Sequence, residues 1–437
     1  MPIFANSNSW LLPSRWNALQ TRARPLSAGP GLSHQNCTSF LAGNPVPGAV
    51  FPFRSHVLTR LTMKILHFAD LHLNIPFTGS YFPAQVARAC RTRLRKTLHE
   101  LLNLAAAEEV DAVTIGGDLF EADRLTRDTV EFLLSSFEQL SPIPIFIAPG
   151  NHDYYSPVSI YARYSWPENV YIFRQRRFQP IELNEEIVLW GFAHNAPDER
   201  DNPFHGFKVP SNGKINIALL HGSETGNFIE NRAAHAPFQA HEILLSGFDF
   251  ALLGHYHNAS TLKVNKKIAI YPGSPQPLSF GEGGEHGAAL VEVLRDDIRV
   301  RPVITATQFF YTYTVDMSTF NGMSGLVPEI RSIAGDSPDR EAAFLRLHLT
   351  GVIPEDTHLD KELLREQLQN YFDFVLIRDT TRPEAWYEEL QNEPTVRGAF
   401  VKRLKKMMAE ETDDRELILA AMRYGLQAFE DERIDLT

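Results

Sequence analysis

The chain has 437 residues, 43% hydrophobic and 22% charged, an ordinary globular composition with length for two or three domains. Its formal net charge of -11 argues against a nucleic-acid binder judged on overall charge, so any such role must rest on local basic clusters. Two cysteines, Cys37 and Cys90, without Cys-x-x-Cys spacing, imply neither a disulfide framework nor a zinc ribbon and fit a reducing cytoplasm; no apolar run reaches the ~18 residues that span a bilayer.

In chain order, residues 1–62 come first, with five arginines, no lysine and no acidic residue. We expect a disordered extension, an organellar transit peptide, or sequence ahead of a true start at Met63. The last is favoured, because "MKILHFADLHL" reads as the opening of a domain. Over residues 63–305 short apolar runs alternate with helical patterns. Strands are predicted in "KILHFA", "AVTIGG", "IPIFIAP", "IVLWGFA", "INIALLH" and "FALLGH", several so continuously apolar that both faces must be buried. A helix is predicted between the first two, with Leu94, Leu98 and Leu101 at helical spacing, and another in "TRDTVEFLLSSFEQL" with Thr126 as N-cap. This alternation argues for an α/β sandwich covered by helices. Residues 306–437 read as a smaller α+β domain: "QFFYTYTVDM" and "AFLRLHLTGV" alternate as half-exposed strands, and from Lys361 the chain turns charged and helical, ending in an acidic tail.

Five of the strand candidates end in polar residues: Asp70 and His72; Asp118; Asn151, His152 and Asp153; His221; His255 and His257. Ligands gather at that end of α/β sheets. A single histidine or a Gly-Asp pair after a strand is ordinarily a turn, but five independent turns are not expected to supply a full ligand set. Imidazole, carboxylate and amide without thiolate suit manganese, iron or zinc rather than a structural zinc. Seven of these groups, Asp70, His72, Asp118, Asn151, His221, His255 and His257, exceed one ion and would serve two divalent ions with Asp118 between them. The D-x-H and H-x-H spacings are expected on extended backbone, where residues i and i+2 point the same way, and Gly116 and Gly117 are expected to let the backbone approach the ions.

These residues, in this order, resemble the motif series of the calcineurin-like metallophosphoesterases. "HFADLHLNIPF", "GGDLFEADR", "APGNHDYY" and "YPGSPQP" resemble more narrowly their bacterial DNA repair exonuclease branch, the SbcD and YhaO type. The C-terminal part resembles it only through stretches such as "LRLHLTG". The resemblance implies a four-layer αββα sandwich with Asp70, His72, Asp118 and His257 on one ion and Asp118, Asn151, His221 and His255 on the other. His152 would then be no ligand but would face the scissile phosphate and assist the leaving oxygen, oriented by Glu121, and Asp153 would anchor the loop. A hydroxide held by two metals attacks phosphorus near neutral pH, and an imidazole can protonate the departing oxygen.

The Arg of the Gly-Asp-x-x-Asp-Arg-Gly pattern that clamps phosphate in protein phosphatases is replaced by Ala122, after Glu121, which counts against that substrate. For DNA, the candidate contacts are Arg91 and Arg95 beside Arg88, Arg93 and Lys96; Arg176 beside Arg174 and Arg177; Lys402, Arg403, Lys405 and Lys406; and Tyr154 for stacking. A solvated helix face is the ordinary explanation of such basic clusters. Asn74, where the YhaO type often has an acid, and Pro277-Leu278, where it often has Gly-Arg, depart from the pattern. The implied function is a manganese-dependent DNA exonuclease or endonuclease with a coiled-coil ATPase partner of the SbcC or YhaN kind, a homodimer also being compatible. The alternatives are a phosphodiesterase or phosphatase on a small molecule such as a cyclic nucleotide, and a non-catalytic partner module.

Overall fold

Strand β1 (Met63–Phe68) lies inside a six-stranded sheet, which is why its "MKILHF" run is almost wholly buried. The computed structural model describes residues 63–77, 82–226, 234–295, 297–319, 325–333, 340–353, 359–383, 385–410 and 415–429; the expectations for residues 1–62, Cys37 included, lie outside these. Helix α1 (Ala84–Ala107) buries Leu94, Leu98 and Leu101 on the sheet together with the free Cys90. After β2 (Ala112–Ile115) comes α2 (Arg127–Gln139), where Thr126 Oγ1 accepts from Thr129 N at 3.3 Å and so satisfies an otherwise open helix-start donor. β3 (Ile145–Ile147), the short α3 (Ile160–Arg163) and β4 (Val170–Ile172) follow, and β1 to β4 run parallel.

The chain then builds a second sheet from β5 (Gln179–Glu182), β6 (Ile187–Gly191), β7 (Ile215–His221), α4 (Ala240–Leu245), β8 (Phe250–Gly254), β9 (Ser260–Val264) and β10 (Lys266–Tyr271), in the order β5-β6-β7-β8-β10-β9. It returns through β11 (Gly287–Val293) and β12 (Ile298–Ile304) to complete the first sheet, β12-β11-β1-β2-β3-β4. Ile65, Phe146, Leu189, Ile217, Leu219, Phe250 and Leu252 fill the space between the sheets. α1 and α2 cover the first sheet's outer face, and α4 with Phe204, Phe238 and Phe248 covers the second's. The result is the αββα layering. His67 ties the layers: its Nδ1 meets Thr114 Oγ1 and its Nε2 donates to Leu253 O, both at 3.0 Å.

From residue 308 the chain forms a separate parallel sheet. β13 (Gln308–Asp316), α5 (Leu326–Ile333), β14 (Ala342–Thr350), β15 (Val352–Ile353), α6 (Lys361–Leu368), β16 (Phe374–Asp379) and β17 (Arg382–Pro383) follow in turn, with order β13-β14-β16. α5 and α6 pack on one face through Leu326, Ile330, Leu364 and Leu368. Phe310 and Phe344 on the other face meet Phe82 and Phe280. α7 (Ala385–Gln391), α8 (Val396–Glu410) and α9 (Arg415–Phe429) close around Tyr387, Leu390, Val401 and Met422. The expectation that the chain is helical from Lys361 onward is corrected by β16: "FVLIRD" is one short strand with a single fully buried residue, so its apolar signal is weak among charged helices. No helix among the described residues is long and apolar enough to cross a membrane.

Candidate metal centre

β1, β2 and β3 of one sheet, and β7 and β8 of the other, end at the same edge of the sandwich, and the loops that leave them converge. Asp70 N donates to Gly117 O at 3.0 Å and His72 N to Asp118 O at 2.9 Å, so the loop after β1 is laced to the loop after β2. The expectation of extended backbone at D-x-H is overturned. Asp70, His72 and Asp118 have φ of 56°, 48° and 52°, and His255 has 110°, all in the region non-glycine residues avoid. The chain turns sharply after β1, β2 and β8, so these candidate ligands meet through left-handed turns and not through strand alternation. Each such residue costs about 1–3 kcal/mol, a strain characteristic of functional sites.

Glycine makes the close approach possible. A Cβ on Gly150 would stand 2.3 Å from Asp118 Oδ1, and one on Gly117, at φ +93°, would stand 2.7 Å from Gly150 N. The glycines therefore bring loop against loop, where backbone against metal was expected. Asp153, buried beneath, holds the same loops: it accepts from Gly150 N at 2.6 Å, Asp118 N at 3.0 Å, Leu119 N at 2.9 Å and Tyr161 Oη at 2.8 Å.

The structure brings all seven expected ligands together. His72 Nε2 lies 4.0 Å from Asp70 Oδ1 and 3.6 Å from Asp118 Oδ2, and His257 Nε2 lies 3.8 Å from Asp70 Oδ1. On the other side of Asp118, His221 Nε2 is 3.3 Å from Oδ2, 3.0 Å from Asn151 Oδ1 and 3.3 Å from His255 Nδ1. Among the described residues three groups have the spacing to hold an ion: Asp70, His72 and His257; Asp70, Asp118 and His221; and His72, Asp118 and His152.

The outer ring nitrogens explain why the inner ones point inward. His72 Nδ1 donates to Glu121 Oε1 at 2.7 Å, His221 Nδ1 to Gly116 O at 2.9 Å, and His257 Nδ1 lies 3.1 Å from Glu282 Oε1. His72 Nε2 is thereby left buried with no hydrogen-bond partner, an orphan that a divalent cation would satisfy. Two of these supports were not foreseen. Glu282 sits in the loop "SFGEGGE", where nothing but its burial marks it. His194, whose Nε2 donates to His221 O at 2.7 Å, follows "IVLWGFA" and could have been found by the same strand-end rule.

The electrostatics are those of a cation site. Burial pushes the Asp118 carboxyl up, but His221 and His72 beside it outweigh this and hold it well below the usual carboxylate range. Burial likewise opposes protonation of His221, yet the charge and hydrogen bond of Asp118 raise it to about 9. Without a metal His221 thus takes up a proton, which a metal would displace. Glu121, pushed up by burial, is held at about 2 by its bonds from His152 and His72; His152, pulled down by burial, is raised to about 9 by Glu121 and Asp118.

The DNA-contact candidates have mixed fates. Arg91 and Arg95 line a cavity on α1. Arg176 is taken up by Glu199 and Asp201. Tyr154 is half-buried beside His152, and neighbouring Tyr155 carries the Arg174 guanidinium at 5.9 Å. Lys405 pairs with Glu388.

A fold of this layering with such a centre at one sheet edge is that of a metallophosphoesterase domain, and residues 63–259 match the calcineurin-like phosphoesterase family. The metallophosphoesterase YhaO of Bacillus subtilis is 27% identical over 311 residues, 68% of this chain and 74% of its own length. The DNA double-strand break repair protein Mre11 of Methanopyrus kandleri is 24% identical over 237 residues, 50% of either chain. The D component of the nuclease SbcCD of Bacillus subtilis is 24% identical over 260 residues, 51% of this chain and 64% of that one.

Proposed function

We propose that the chain is a metal-dependent DNA exonuclease or endonuclease of repair, acting in the cytoplasm with two divalent ions, manganese first, with iron and zinc as alternatives. Asp70, His72, Asp118 and His257 would hold one ion and Asp118, Asn151, His221 and His255 the other. When bound, the pair supplies hydroxide near neutral pH and offsets the charge of the phosphate.

The observation that carries this reading is Glu121. Its two oxygens hold Nδ1 of His72 at 2.7 Å and Nδ1 of His152 at 2.8 Å. One carboxylate thus fixes a ligand imidazole with Nε2 inward and sets a second imidazole, 4.7 Å away, at the open edge of the centre. The His152 side chain is 43% exposed there, able to meet a substrate that its buried neighbours cannot reach. A protonated imidazole at that edge gives its proton to the departing oxygen, and Glu121 is the residue that positions it.

DNA as the substrate is supported by the relatives, one a double-strand break repair protein and one a nuclease component. The loop after Asp118 also lacks the phosphate-clamping arginine of the protein phosphatases. A coiled-coil ATPase partner and a homodimer complete the proposal. The test is incubation with end-labelled duplex and hairpin DNA, alone and with the ATPase. Degradation with manganese but not with EDTA is expected; intact DNA in every manganese reaction would refute the nuclease reading.

A further inference from the structure

Arg88, Arg91 and Arg95 stand at i, i+3 and i+7 on α1, a spacing that aligns three side chains on one face. That face walls a cavity of about 290 Å³ completed by Asn74, Thr92 and Asp128. The cavity shares with the metal centre the loop after β1, through Asn74. Asn74 follows His72 by two residues; its Nδ2 donates to Arg124 O at 3.1 Å, and its Oδ1 accepts from Thr129 Oγ1 at 2.8 Å. Arg124 N in turn donates to Glu121 O at 3.1 Å, so the cavity wall is continuous with the residue that holds His72 and His152.

The guanidiniums are not equivalent. Arg95 is committed, donating to Asp128 at 2.5 Å and Thr129 Oγ1 at 2.7 Å, and lying over the Phe132 ring. Arg93 and Lys96, also on α1, are taken by Glu341. Among the described residues no ion pair is formed by Arg88 or Arg91, which leaves two guanidinium forks facing a net positive cavity. No aromatic or aliphatic side chain lines it, so it offers nothing to stack on a base and nothing to bury a nucleoside.

We infer that this cavity is a second phosphate site: Arg88 and Arg91 receive a backbone phosphate of the polynucleotide strand whose scissile phosphate lies at the metal centre. Contacts of this kind fix the strand's register without reading its sequence. The inference rests on the DNA reading above and adds the path of the strand beyond the cut.

The test compares the full chain with the double variant R88A/R91A, Arg88 being exposed and Arg91 half-buried outside the core. Binding of a fluorescein-labelled DNA duplex is measured by anisotropy in EDTA across a salt series, and manganese-dependent turnover of bis(p-nitrophenyl) phosphate is measured beside it. The variant is expected to bind DNA on the order of tenfold or more weakly. The slope of log K against log salt should be shallower by about one, while the small diester is turned over as by wild type. Unchanged affinity and slope overturn the phosphate site while leaving the nuclease reading standing. Equal loss of diester turnover overturns it too, since the arginines would then act on the centre. If the wild type turns over the diester but neither binds nor cuts DNA, the nuclease reading itself falls and takes this site's ligand with it.

Discussion

Replacing Asp153 by alanine separates a loop anchor from a metal ligand. The carboxylate is 1% exposed and accepts from four donors: the amides of Gly150, Asp118 and Leu119 and the Tyr161 hydroxyl. A buried donor stripped of its acceptor costs about 1–3 kcal/mol, so four give about 4–12 kcal/mol. Burial and the charge of Asp118 push the Asp153 carboxyl up, so removing its charge returns part of that loss, and the low end, about 4 kcal/mol, is expected. For a domain of this size that lowers the melting temperature by roughly 8–16 °C. The assay is thermal unfolding in EDTA, with Asp153→Asn, which keeps one acceptor oxygen, expected to fall between the two. If Asp153→Ala melted within about 3 °C of wild type in EDTA yet lost its metal, Asp153 would be a ligand and the anchoring argument would be wrong.

Glu121→Gln should lower turnover on DNA by about 100-fold or more by loosening His152, and weaken metal binding about 10- to 100-fold through His72, read by steady-state kinetics and metal titration. Gly150→Ala places a Cβ 2.3 Å from Asp118 Oδ1 and should abolish metal binding in equilibrium dialysis; wild-type retention would show that the loops can part. Burial lowers His67 to about 4 from the ordinary 6.5, its backbone bond to Leu253 only partly opposing this. Because the folded state binds this proton more weakly, the stability held above pH about 6.5 is lost as pH falls toward 4, by about 3 kcal/mol in all. His67→Gln should therefore flatten the fall in melting temperature of metal-free protein over that range, and an unchanged slope would count against it.

The convergence of the candidate ligands was legible because Asp70, Asp118, Asn151, His221 and His255 stand where apolar sequence, buried on both faces, abruptly stops. Their geometry was not. The left-handed turns at Asp70, His72 and Asp118 follow from hydrogen bonds between two loops some 45 residues apart, which no local pattern encodes. Sequence-distant partners also decided the basic residues: Arg176 is spent on Glu199 and Asp201, while among the described residues Arg88 and Arg91 form no ion pair. β16 escaped because its one buried position, Val375, gives no alternation.

The most direct test of the central claim is His152→Ala on two substrates of different leaving group, with metal content measured on the same samples. The 3′ or 5′ oxygen of DNA leaves as a strong base and needs a proton, whereas p-nitrophenolate leaves without one. If His152 is the general acid and no ligand, the variant keeps the metal content of wild type. It then loses about 100- to 10,000-fold on DNA but less than about tenfold on bis(p-nitrophenyl) phosphate. Equal losses on both substrates, or loss of metal, would contradict the account.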